Sequence, residues 1–153
     1  MDEVVTSVEI DAPLEVVWDA CMDPELLPEW VTILVRMRGH SDGPLRKGYE
    51  MEQRLCLRGV PFNVSWELVQ YDAPTVAVWH GKAPARARAE TEYRLSAIDA
   101  GRTRFDYRNA FRPPLGPLGG LVGGALVGGL PQREADASLA RLKALVESRA
   151  PRG

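Results

Sequence analysis

The chain has little with which to do metal or redox chemistry. Cys21 and Cys56 are its only cysteines, His40 and His80 its only histidines, and none of the four stands at a metal-ligand spacing. No metal site and no cofactor are therefore expected, and both thiols are expected to be buried and inert. A surplus of either charge is missing too. With 19 basic against 21 acidic residues the formal net charge is −2, too small to gather nucleic acid or an anionic membrane surface. The start, MDEVVTSVEI, lacks a basic region followed by an apolar core, so a reducing, cytoplasmic setting is expected. No glycine loop follows a strand and ends in Lys-Ser/Thr, which argues against a phosphate loop. No Ser, His and Asp order stands out as a triad.

Between Arg112 and Arg133 charge disappears altogether. The segment PPLGPLGGLVGGALVGGLPQ repeats glycine at Gly116, Gly120, Gly124 and Gly128, with a parallel row at Gly119 and Gly123. Small residues four apart give a helix a smooth ridge, yet each interior glycine withdraws about 1 kcal/mol of helix preference relative to alanine. Something must lie against that ridge, or it must be free to move. The glycines, Pro117 and Pro131 leave too few large apolar residues for an integral membrane span. What remains is a buried helix closely approached by a neighbour, or a weakly held lid over an apolar cavity. Downstream, Ala135, Leu139, Leu142 and Val146 recur at helical spacing, with Arg133, Glu134, Asp136, Arg141, Lys143 and Glu147 mostly opposite. That pattern predicts an amphipathic helix over 133–149, the second half of one long closing helix.

A length of 153 residues with 45% apolar composition fits one domain, expected over 1–149 with a disordered tail at 150–153. After a first strand over Glu3–Ile10, two short helices are predicted: Pro13 to Cys21, with Asp11 as N-cap type residue, and DPELLPEW. Strands follow over Thr32–Gly39, Tyr49–Arg58, Phe62–Tyr71, Thr75–His80, Arg86–Leu95 and Arg102–Arg112, punctuated by Gly, Pro and Asp turns. Short connections imply a strongly curved antiparallel meander with the helices on its concave face, an α+β fold. The alternation puts Met51, Gln53, Leu55, Trp66, Ala89, Thr91, Tyr93, Phe105, Tyr107, Asn109 and Phe111 on the inner face. Small residues stand there beside large ones, and the opposing helix offers glycines where a packed core would want leucine. A cavity with an apolar lining and a few polar handles is expected.

The opening strand plus IDAPLEVVWDACMDPELLPEW, the run SWELVQYDAP, and YRLSAIDAGRTRFDYRNAFRPPLGPLGGL resemble the START and Bet v 1-like helix-grip superfamily, in its polyketide cyclase/dehydrase and lipid-transport branch. The resemblance spans essentially the whole chain. It implies a curved sheet of about seven strands wrapped around a long C-terminal helix, with two short helices after the first strand. It implies a small hydrophobic ligand, such as a lipid, isoprenoid or polyketide, between sheet and closing helix, with Leu118 and Val122 facing it from the helix. Aromatase members place an arginine on the fourth strand to polarise a carbonyl. Here that strand, PFNVSWELVQY, keeps the aromatic position as Trp66 and has no arginine.

Three functions are open at this point: a binder of such a molecule, a polyketide cyclase, aromatase or dehydratase, and an interaction protein using the glycine ridge, acting as monomer or homodimer. His80, on the parity of Val76 and Val78, can serve as acid or base if it points inward. Tyr93, Tyr107 and Asn109 can present hydroxyl and amide groups to a ligand oxygen. Gln53 is a further polar handle. Glu50, Glu52 and Glu67 fall mostly on the outer parity with Arg54 and Arg58, where cross-strand surface pairing accounts for them.

Overall fold

The computed structural model describes residues 2–113 and 130–149. In chain order these form β1 (Asp2–Ile10), α1 (Leu14–Met22), α2 (Leu27–Trp30), β2 (Leu34–His40), β3 (Glu50–Leu57), β4 (Val60–Asp72), β5 (Val76–Lys82), β6 (Arg88–Asp99), β7 (Arg102–Arg112) and the closing helix α3 (Leu130–Arg149). All seven strands join one sheet in the order β1-β7-β6-β5-β4-β3-β2, every neighbour antiparallel. This is the α+β helix-grip architecture expected. The glycine-rich half of the closing helix, with Leu118 and Val122, and the tail 150–153 lie outside the described residues.

Local chemistry explains where elements begin and end. Arg58 and Gly59 both have positive φ, 48° and 78°, the conformation of a two-residue hairpin turn that lets Leu57 pair with Val60. α1 departs from its expected cap: Pro13 holds the N-cap position without a side-chain bond. Its carbonyl accepts from the amides of Val16 and Val17, both at 3.1 Å. The Asp11 carboxylate accepts from Arg102 Nε at 3.3 Å instead. In DPELLPEW the Asp23 side chain takes the Glu25 amide at 2.9 Å in a local turn, so helix is confined to Leu27–Trp30.

α3 buries the predicted stripe of Ala135, Leu139, Leu142 and Val146, and its polar side chains serve a second purpose. β1 is an edge strand, so its outward carbonyls need partners. Gln132 Nε2 donates to Val5 O at 3.2 Å and Lys143 Nζ to Glu9 O at 2.8 Å. Just past the strand the Asp11 amide donates to Glu147 Oε2 at 2.8 Å, which also accepts from Lys143 Nζ at 2.6 Å.

Those bonds, the Asp11 amide first and Lys143 second, hold the Glu147 carboxyl below its usual range. A lowered folded-state pKa contributes stability above the unfolded value, and that contribution is lost as pH falls through the folded one. Between about pH 6 and about pH 3 the parent should therefore lose more stability than Glu147→Gln, by under about 1 kcal/mol for so accessible a pair. Identical acid limbs in thermal scans would remove Glu147 from this role.

Candidate functional site

Sheet register arranges the inner face in rungs. One rung holds Met51, Trp66, Gly81, Ala89 and Phe111. The next holds Leu68, Trp79, Thr91, Asn109 and Val4. A third holds Ala77, Tyr93, Tyr107 and Thr6. Above them, bounded by α2, the loop after it and the first turns of α3, lies a pocket of about 450 Å³. Its wall is mostly apolar, and Met51, Gln53, Leu55, Trp66, Ala89, Thr91, Tyr93, Tyr107, Asn109 and Phe111 all border it.

Two expected residues stand elsewhere. Phe105 shares the inner face but sits one rung further, opposite Leu95 and Val8, fully buried with its ring 5.3 Å from that of Tyr93. It supports the pocket floor without bordering it. His80 points the other way. β4 carries a bulge between Leu68 and Gln70, and the inward residues of β5 are Ala77, Trp79 and Gly81. Because VAVW is apolar on both parities, alternation could not select the face. The His80 side chain is 53% exposed and its Nε2 lies 3.4 Å from Glu90, so it is not placed to act as acid or base inside the pocket.

Trp66 is positioned by two devices. Its Nε1 donates to Gln53 Oε1 at 2.9 Å, and its six-membered ring lies on Gly81, where an added Cβ would come within 2.7 Å of Cζ3. A glycine inside a strand signals such close approach, but the strand expected over Thr75–His80 stops short of Gly81, whereas β5 runs on to Lys82. On the neighbouring rungs Thr91 Oγ1 donates to Asn109 Oδ1 at 3.2 Å, and the Tyr93 and Tyr107 rings stand 6.1 Å apart. Burial pushes the Tyr107 phenol up to about 12, against the opposing influence of Thr91. Burial pushes Tyr93 well above its ordinary value, with Tyr107 adding to the rise. Both phenols keep their protons at neutral pH and act as hydrogen-bond groups rather than as phenolate bases.

The helix side brings residues that alternation does not reveal. Thr32 meets α3: its amide donates to Ser138 Oγ at 3.0 Å, and its hydroxyl contacts the Glu134 carboxylate and lies 3.2 Å from Ser138 Oγ. All three border the pocket. Trp30, 1% exposed, closes the wall with its ring 6.1 Å from Tyr93. Among the described residues its buried Nε1 has no hydrogen-bond partner. Cys21 also borders the pocket, and burial raises its thiol far above the range of a reactive thiolate. Cys56 is only half-buried, against expectation. On the convex face Glu50 stands directly opposite Glu67 rather than meeting Arg54, whose guanidinium donates to Asn63 Oδ1 at 3.1 Å.

The chain resembles solved structures across nearly its full length. It matches the Thermus thermophilus protein TTHA0849 with a TM-score of 0.76 at 18% identity, covering 98% of this chain and 100% of that one. It matches the ZhuI aromatase/cyclase of Streptomyces sp. R1128 with a TM-score of 0.73 at 19% identity, covering 97% and 94%. Identities so low carry the fold and not the chemistry. Among curated proteins it is 25% identical to Toxin Rv0910 of Mycobacterium tuberculosis (strain ATCC 25618 / H37Rv), over 82% of this chain and 88% of that one. No helix among the described residues is long and apolar enough to cross a membrane. The family profile described as polyketide cyclase / dehydrase and lipid transport matches residues 1–147, and the chain belongs to that family.

Proposed function

We infer that the protein binds a small, largely apolar molecule carrying at least one oxygen function. The observation that supports this reading is the shared position of Tyr107 and Asn109, a protonated phenol and an amide side by side in the floor of a mostly apolar pocket of about 450 Å³. Asn109 uses its carbonyl oxygen on Thr91, and its amide hydrogens are suited to a ligand carbonyl or hydroxyl. Lipids, isoprenoids and polyketides all meet that description.

Native mass spectrometry of the freshly purified protein is the direct test. The expected result is a retained organic mass that solvent extraction removes. A bare chain under gentle conditions, with no fluorescence gain from the neutral probe N-phenyl-1-naphthylamine, overturns the reading. Tyr107→Phe is expected to weaken an oxygen-bearing guest by about 2–10-fold, the range of one neutral hydrogen bond, while leaving the affinity of that probe unchanged.

An enzymatic reading, cyclase or dehydratase, rests on a different group. With His80 outside and both phenols protonated, the carboxylate at the pocket wall is Glu134, held against the Thr32 hydroxyl. It is the base such chemistry would use. Turnover abolished by Glu134→Gln with ligand retained separates an enzyme from a carrier.

A further inference from the structure

The polar groups that border the pocket are not equally free to meet a guest. Gln53 is committed to the wall itself, since its Oε1 accepts from Trp66 Nε1 at 2.9 Å and its Nε2 donates to Met37 Sδ at 3.5 Å. On the helix side Thr32, Glu134 and Ser138 answer one another. The floor differs. Thr91 is buried on β6 directly opposite Asn109 on β7, and its Oγ1 donates to Asn109 Oδ1 at 3.2 Å. Tyr107, diagonal to Thr91 on the same face, reaches that hydroxyl from the neighbouring rung. Thr91, Tyr107 and Asn109 all border the pocket from the inner face of the sheet.

A threonine hydroxyl has a single proton. Having given it to Asn109, Thr91 can only accept from Tyr107, so the phenol proton turns toward Thr91. What this cluster offers a guest follows by elimination. The Tyr107 oxygen presents lone pairs, and Asn109 Nδ2 presents its N–H groups, which have no acceptor among the described residues. Turning the amide over would reverse both bonds and still leave one acceptor and one donor for the guest.

We propose that Thr91 makes Tyr107 and Asn109 a complementary acceptor and donor, and that the pocket thereby selects a guest bearing a hydroxyl over one bearing a ketone or an ether. The proposal rests on the pocket-binding reading above and narrows its oxygen function to a group that both donates and accepts. A hydroxyl gives its proton to one member of the pair and accepts from the other through the same oxygen. A ketone or ether oxygen accepts only, and leaves the Tyr107 lone pairs unanswered in mostly apolar surroundings. Thr91 is a positioning residue here, acting on the guest through its two neighbours.

The compounds 2-dodecanol, 2-dodecanone and 2-methoxydodecane share one chain and differ at one oxygen. Each is titrated against the full-length protein loaded with N-phenyl-1-naphthylamine. The alcohol is expected to displace the probe about 5–10-fold more readily than the ketone or the ether, the range of one neutral hydrogen bond. In Thr91→Val, which keeps the branched shape and loses the hydroxyl, that advantage should fall to near parity while the probe binds as before. Thr91→Ser, which keeps the hydroxyl, should retain it. Equal displacement by all three in the parent overturns the proposal and leaves the pocket reading standing. So does an advantage that Thr91→Val keeps in full, or one that Thr91→Ser loses together with Thr91→Val. Failure of all three and of the probe to bind removes both.

Discussion

Phe105→Ala is expected to lower unfolding stability by about 3–5 kcal/mol, among the largest losses available from one side chain here. The ring is fully buried, between Leu95 and Val8 across the sheet and against Tyr93. Its truncation leaves a void where α1 and α3 also close on the sheet. At about 2–4 °C per kcal/mol for a chain of this size, the midpoint should fall by roughly 6–20 °C in a thermal scan. Ligand affinity, measured well below the new midpoint, should change little, because Phe105 supports the floor from the next rung. A loss under about 1 kcal/mol joined to a large loss of affinity would put the ring in the pocket instead.

That contrast shows what alternation in a sequence can and cannot resolve. Period two along β3, β6 and β7 identifies the inward face, which is why Met51, Gln53, Thr91, Tyr93, Tyr107 and Asn109 stand together. It says nothing about depth along the strand. Phe105 and Tyr107 share a face, and only the register with Leu95 and Tyr93 tells support from lining. His80 failed for another reason. β5 offers apolar residues on both parities, and the bulge in its neighbour β4 changes the phase between the strands. Pairs far apart in the chain were out of reach altogether. Thr32 and Glu134 meet only because α3 packs across the loop after α2, and nothing in either local stretch announces the partner. The amphipathic stripe of α3 was legible because Ala135, Leu139, Leu142 and Val146 bury themselves by local periodicity alone.

Gly81 carries the second large expected effect, and its cause is steric. A Cβ at this position would lie 2.7, 2.8 and 3.0 Å from three atoms of the Trp66 ring, closer than carbon atoms tolerate. The indole cannot simply rotate away, since its Nε1 is tied to Gln53 Oε1 at 2.9 Å on β3. Gly81→Ala should therefore cost about 1–3 kcal/mol, the range for overpacking a fitted site, and lower the midpoint by roughly 2–12 °C. It should also reshape the pocket, because Trp66, Gly81 and Gln53 all border it. Trp66→Leu by itself leaves the Gln53 oxygen without its donor, a separate cost of about 1–3 kcal/mol. Combined, the two substitutions should lose clearly less than their sum, since a leucine no longer presents a ring edge to the new methyl group. Additive losses in that double-mutant cycle, or a Gly81→Ala protein that melts with the parent, would mean that the indole does not rest on the glycine. The placement of the pocket's aromatic wall would then have to be redrawn.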